Sequence, residues 1–184
     1  EDANSKHIKA KCHLSLSELS RELNEHELSL FHLSQGAKLT QNRDEKGMIY
    51  ARLAEIAFNR NEYNLAEEAY LNVIAHSLSK EKVEDAHLQI LKIYRSQNKY
   101  RSASKKIKSM LIDDKFKRIA GNLELELVQL YKAQGETSEI ETRLETIVNE
   151  YQRTPVSAEA YFQLGELYSS EKWDLDKAKE CFDA

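Results

Sequence analysis

This chain of 184 residues contains one proline, Pro155, and only five glycines. Helix interiors are therefore almost free of breakers, which points to an all-α protein. Cysteine is as scarce. Cys12 and Cys181 lie near opposite ends, so in a stacked, elongated chain they are too far apart to bridge. Lone helical cysteines serve most often as small buried hydrophobes, and two of them only lean towards a reducing compartment. No apolar run is long enough to span a bilayer, and no secretory signal opens the chain. Because the chain starts at Glu1 without methionine, the lack of a targeting segment decides nothing. Catalytic signatures are missing too: there is no His-Glu-x-x-His, no Cys-x-x-Cys, no glycine-rich phosphate loop and no nucleophile elbow. The histidines (His7, His13, His26, His32, His76, His87) show no zinc spacing, and His26 and His32 fall on different faces of a helix. Glu139, Glu141 and Glu145 read as a solvated helix face. Neither an enzyme nor a bound cofactor or metal is expected.

What the chain does have is repetition. Sliding it along itself by 37 residues aligns Leu53, Ile90, Leu127 and Leu164. The next column holds Ala54, Leu91, Val128 and Gly165, and another holds Ala57, Tyr94, Tyr131 and Tyr168. A further column, Ala66, Ala103 and Ile140, reaches Ala178 if the last unit carries one extra residue. A period of this size marks an array of units, each burying an apolar face against its neighbour. The composition agrees: 41% hydrophobic residues suffice for a core, while 32% charged residues suit an elongated protein with much surface.

Each unit reads as helix, short polar turn, helix, longer connection. The turns fall at Arg60–Asn61–Glu62, at residues 96–99 and at residues 133–136, where Asn, Gly and Ser cluster. Apolar residues at helical spacing precede each turn (Tyr50, Leu53, Ala54, Ala57) and follow it (Leu65, Ala66, Ala69, Tyr70, Val73). One period earlier, Leu16 falls under Leu53 and Leu33 under Tyr70, with Ser17 and Ser29 at the small-residue positions. That segment fits a degenerate first unit, as expected of a terminal repeat. Residues 1–6 are expected to fray. The expected organisation is one domain over 1–184 with units at about 7–43, 47–79, 84–116, 121–153 and 158–184. The last unit stops a turn early, which reads as a fragment of a longer array.

The columns resemble the tetratricopeptide repeat, whose motif runs large residue, Leu-Gly/Ala, Tyr, turn, Ala, aromatic. Tyr161, Leu164, Gly165, Tyr168, Ala178 and Phe182, preceded by Pro155, match it best; Tyr50, Leu53, Ala54, Tyr63, Ala66 and Tyr70 also match. The resemblance covers about residues 47–184 well and 10–43 loosely. It implies a right-handed α-solenoid of antiparallel helix pairs, about five units long. The period is longer than the family's usual 34, and Leu91, Val128 and Ile140 replace small residues at contact columns. Residues 147–161 are also similar to the linker and helix of bacterial cell-envelope proteins of this family. That likeness leans towards the periplasm or envelope of a bacterium, with the cytoplasm left open.

In this family the first helix of each pair lines a concave groove. Carried over by position, the groove comprises Ala51, Glu55 and Phe58; Leu88, Lys92 and Arg95; Leu125, Gln129 and Lys132; and Phe162, Glu166 and Ser169. Ala51, Leu88, Leu125 and Phe162 stand where carboxylate-clamping members place a key lysine, so that subtype is disfavoured. The mixture of apolar and charged positions suits a peptide or partner helix docking on an apolar strip with a polar rim. The implied function is a protein-interaction scaffold or adaptor. A sensor coupled to an effector domain elsewhere, and a self-assembling spacer, stay open beside it, as does the reading in which these positions only pack within the array.

Charge is uneven. Residues 99–118 carry Lys99, Arg101, Lys105, Lys106, Lys108, Lys115, Lys117 and Arg118 against Asp113 and Asp114, while residues 119–184 hold fourteen acidic residues to six basic. Lys105 and Lys108 belong to the outer face of a second helix, where a solvated surface is the ordinary explanation. The net charge of −4 argues against a general nucleic-acid binder.

Overall fold

The structure is a computed structural model describing residues 2–170 and 172–184. Among these residues the regular elements are all helical. The chain forms two compact units, residues 1–93 and 94–184.

The first unit holds α1 (Ala3–Glu22), α2 (His26–Leu39), α3 (Arg43–Asn59), α4 (Tyr63–His76) and most of α5 (Lys80–Ser96). Helix α1 is already regular at Ala3, with the Lys6 amide donating to the Asp2 carbonyl at 3.2 Å. Residues 3–6, where fraying is expected, are helical, and Glu1 lies outside the described residues. Small residues let α1 and α2 pair closely. Ser17 and Ser29 are both buried, and neither hydroxyl is stranded: Ser29 Oγ donates to the Ser17 carbonyl at 2.9 Å, and Ser17 Oγ to the Leu14 carbonyl at 2.7 Å. Serine thus does here what Ala54 and Ala66, both fully buried, do one period on. At the start of α3, Asn42 caps the Glu45 amide (3.0 Å), satisfying a donor that the helix cannot. Gly47 lies so close to the C-cap of α4 that an added Cβ would stand 2.8 Å from Ser77 Cα.

The second unit continues from Tyr94 with α6 (Tyr100–Ile112), α7 (Ala120–Gln134), α8 (Thr137–Glu150), α9 (Pro155–Ser170) and α10 (Leu175–Asp183). A short 3-10 helix, Asp114–Ile119, lies between α6 and α7 and buries Phe116 and Ile119. Pro155 opens α9, a position where its missing amide hydrogen costs nothing. Val128, Ile140, Leu144, Ile147, Ala160, Leu164, Leu167, Tyr168 and Ala178 form the core of this unit.

The period is written into the backbone. Asn24, Asn61, Asn98 and Gly135, spaced 37 apart, all adopt left-handed φ of 57° to 73°. Each ends a helix with one amide bond reaching five residues back: Glu25 to Ser20, Glu62 to Ala57, Lys99 to Tyr94 and Glu136 to Tyr131. Tyr63 and Tyr100 repeat a further detail, donating to the side-chain oxygens of Asn61 (2.7 Å) and Asn98 (2.6 Å). In the last pair the left-handed residue is Trp173, and the Asp174 amide reaches Tyr168 instead, one residue further back. That is the extra residue needed to bring Ala178 into its column. The main column occupies one environment throughout, with Leu53, Ile90, Leu127 and Leu164 all at most 4% exposed.

Cys12 departs from expectation. It is exposed rather than buried, and Cys181 is half-buried.

Candidate functional site

None of the twelve groove positions is buried. Ala51, Phe58, Leu88, Lys92, Arg95, Leu125, Gln129 and Ser169 are half-buried, while Glu55, Lys132, Phe162 and Glu166 are exposed. They alternate along their helices with residues that are fully sealed, such as Leu53, Ile90, Leu127 and Leu164. This is the helical period at work: the same spacing that sends one stripe inward leaves the other in contact with water.

In the first unit a cleft of about 360 Å³ lies along α1, α2 and α3. Leu33 and Ile56 supply its apolar floor, and Glu18, Arg21, Arg52, Glu55, Asn59 and Arg60 its polar wall. Part of that wall is ion-paired at the surface. Arg52 Nη1 donates to Glu18 at 2.6 Å across α3 and α1, and Arg60 pairs with Glu62 and, at 3.5 Å, with Glu27. Of the expected groove positions, only Glu55 lines this cleft. Ala51 faces a shallower depression beside Tyr70 and Asp85. Burial pushes the Tyr70 phenol up to about 12, with Asp85 and Glu55 adding to the effect, so it stays a neutral donor. Phe58 stacks edge-on against Tyr63, with 5.9 Å between ring centroids.

In the second unit, Gln129 and Lys132 converge on one residue that the sequence does not single out, Gln163. Its Oε1 accepts from Gln129 Nε2 at 3.0 Å and from Lys132 Nζ at 2.9 Å, while its Nε2 donates to Glu159 at 2.7 Å. Gln163 is 5% exposed, so this network ties α7 to α9 beneath a polar surface. Arg95 lies 3.7 Å from Glu126. Phe162 is half in water and tilts against Phe182, with ring centroids 5.9 Å apart. Ser169 turns its hydroxyl back to the Glu166 carbonyl at 3.1 Å.

Two further polar clusters escaped the pattern of repeats. His13 and His32 bring their Nδ1 atoms to 3.0 Å; burial and then the neighbouring His13 hold His32 below the ordinary histidine value. In the second unit the Tyr168 hydroxyl donates to Glu141 at 2.8 Å, and Lys172 also pairs with Glu141. Those two bonds, Lys172 first, hold the Glu141 carboxyl below its usual range; burial and the same glutamate raise the Tyr168 phenol. Among the described residues, no cluster of three or more His, Cys, Asp or Glu could hold a metal, and no helix is long and apolar enough to cross a membrane.

Helix pairs repeating every 37 residues, closed by left-handed turns and sealed by small-against-large contacts, define a helical-repeat protein. No family model and no curated protein matches the chain. Solved structures do. BtubC (BKLC) from P. vanneervenii is 18% identical, with 98% of this chain and 85% of that one covered at a TM-score of 0.65. A putative kinesin light chain from Podosopora anserina, with nearly identical TPR-like repeats, is 14% identical over 94% and 91% at 0.62. YrrB, a TPR protein with an unusual peptide-binding site, is 13% identical over 93% and 81% at 0.53. At these identities the likeness is one of fold: the chain has the tetratricopeptide-repeat fold, an all-α solenoid of antiparallel helix pairs.

Proposed function

We propose that this protein is an interaction scaffold that holds a peptide or partner helix on the exposed faces of the first helices of its pairs. The observation that carries this reading is the cleft along α1, α2 and α3. It has the size of a side-chain pocket, an apolar floor of Leu33 and Ile56, and a rim carrying charges of both signs. An aliphatic side chain would enter the floor, flanked by an acidic group towards Arg21 and Arg52 and a basic or amide group towards Glu55. YrrB shows that this fold can carry a peptide site.

A displayed peptide library panned on the 184-residue chain tests the proposal, with the selected peptides measured by fluorescence anisotropy. Ile56→Asp and the charge reversal Arg52→Glu are expected to weaken binding by about tenfold or more, roughly 1.4 kcal/mol, with helicity unchanged. Lys92→Glu, Arg95→Glu and Phe162→Ala test the remaining positions in the same assay. If no peptide is selected, or if all five variants bind as the parent does, the assignment of the site is wrong.

A further inference from the structure

The phenol oxygen of Tyr70 is a polar atom that the repeat does not need. Elsewhere its column holds Leu33, Ile107 and Leu144, all sealed, and Phe182 once the last unit is given its extra residue. Packing at this position asks for bulk and for no hydroxyl. Tyr70 is itself 7% exposed, yet its hydroxyl has no hydrogen-bond partner among the described residues. A hydroxyl withdrawn from water without a partner is a cost that packing does not offset. The oxygen is not enclosed, however. Tyr70 lines the depression between α3, α4 and α5, about 410 Å³ in volume, whose apolar walls are Ala51, Val73 and Ala86.

Charge decides what this oxygen can meet there. Glu81 and Asp85, one turn apart on α5, share a helix face and both line the depression. Glu55 stands one turn beyond Ala51 on α3. Its charge and that of Asp85 are felt at the phenol, where burial comes first and the two carboxylates add to it in keeping the hydroxyl neutral. Among the described residues none of the three carboxylates is ion-paired; Asp85 accepts from the neutral Gln89 amide at 3.2 Å. Of the described residues lining the depression, only Lys82 is basic, and it is exposed and unpaired. Three negative charges against one positive repel a carboxylate or phosphate and draw in a cation. A phenol accepts a hydrogen bond as well as donating one, so the oxygen gives that cation a definite point of contact.

We infer that this depression is a subsite for a basic side chain of the docked segment, its charged head held by the Tyr70 oxygen and by Glu55, Glu81 and Asp85. Arginine suits the set better than lysine, because its planar fork offers five donors to acceptors carried on three helices. The aliphatic stem lies against Ala51, Val73 and Ala86. Glu55 also lines the cleft beside Leu33, so the two sites adjoin and one short segment reaches both. The inference rests on the scaffold reading above for the ligand being part of a peptide, and it makes the group facing Glu55 a basic one.

The test titrates N-acetyl-arginine amide into the isotope-labelled 184-residue chain and follows it by NMR, with Tyr70→Phe identifying the Tyr70 ring signal. That signal should move and saturate at roughly millimolar probe. N-acetyl-citrulline amide, of the same shape without the charge, should leave it in place. Tyr70→Phe, followed at the Ala51 and Ala86 amides, should weaken the probe by about fivefold or more with circular dichroism unchanged, since the ring is kept. Lys82→Glu should tighten it by about threefold or more, on the scale of an exposed ion pair. Ile56→Ala, which hollows the neighbouring cleft, should leave the probe's affinity unchanged, so the cleft and the subsite fail separately. A Tyr70 signal that ignores the arginine probe, an equal response to citrulline, or Tyr70→Phe and Lys82→Glu variants that bind as the parent does would each overturn the proposal.

Discussion

Replacing Gly47 with alanine sets two effects of opposite sign against each other, and the structure decides between them. In a helix interior, glycine to alanine gains about 1 kcal/mol of propensity. At Gly47, however, the new methyl would stand 2.8 Å from Ser77 Cα and 2.9 Å from Ser77 N. Ordinary contact needs roughly half an ångström more, and the obstacle is backbone held on several sides. The Ser77 amide donates to Val73 at 2.8 Å, Arg43 donates to the Ala75 carbonyl at 2.9 Å, and the Leu78 amide donates to Asp44 at 3.2 Å. Overpacking of this kind costs about 1–3 kcal/mol, so Gly47→Ala should come out destabilised by about 1 kcal/mol. Gly36→Ala is the control. There the nearest atoms lie at 3.7 Å (Ala10 O and His13 Cβ) and 3.8 Å (Ile49 Cδ1), all ordinary contacts. Propensity wins at that site, and the variant should gain up to about 1 kcal/mol. Urea denaturation followed by circular dichroism measures both. With a slope of about 1–3 kcal/mol per molar, the two midpoints should move apart on opposite sides of the parent. A Gly47→Ala protein as stable as the parent, or two shifts in the same direction, would refute the reasoning.

Other outcomes follow from the same coordinates. Asn98 holds a left-handed φ of 57°, so Asn98→Ala should cost about 1–2 kcal/mol and Asn98→Gly little, again by urea midpoint. Gln163→Leu leaves Gln129 and Lys132 without their shared acceptor and should destabilise by about 1–3 kcal/mol, read by thermal melting. Glu141 titrates below its ordinary value of 4.5 in the fold, owing to Lys172 and Tyr168. Its stabilising contribution is therefore complete above about pH 5 and is lost as pH falls through the lower folded value. Glu141→Gln should flatten that acid limb of the stability profile, and an unchanged limb would exclude the linkage.

How much of this was legible in the residues depends on range. The 37-residue period rests on side chains that touch within a helix pair or at a fixed contact, so Leu53 and its counterparts announce themselves. The asparagines of the turns were visible as polar clusters, although their left-handed geometry was not. Ser17 and Ser29 read as weak matches because a hydroxyl carries no sign that a carbonyl waits across the interface. Gly47 and Gln163 were invisible for a related reason. What makes them matter is a particular atom on another helix, Ser77 Cα in one case and Lys132 Nζ in the other, and no periodicity encodes that. The run at residues 115–118 looked simply basic, yet Phe116 anchors a buried 3-10 turn within it. The groove positions are those the resemblance to the tetratricopeptide repeat implies, and helical phase explains why their exposure was foreseeable and the cleft beside Leu33 was not.

The left-handed closures also constrain how such a chain can grow. Because one amide bond spans a set number of residues at each helix end, a hairpin tip can gain a residue only by rebuilding the closure, as the tip at Trp173 has done. Segments joining one hairpin to the next do not share this five-residue closure, and the turn at residues 114–119 shows one already enlarged into structure of its own. New length, whether added by evolution or by an engineer inserting a tag, should enter there, leaving the tips at Asn24, Asn61 and Asn98 untouched.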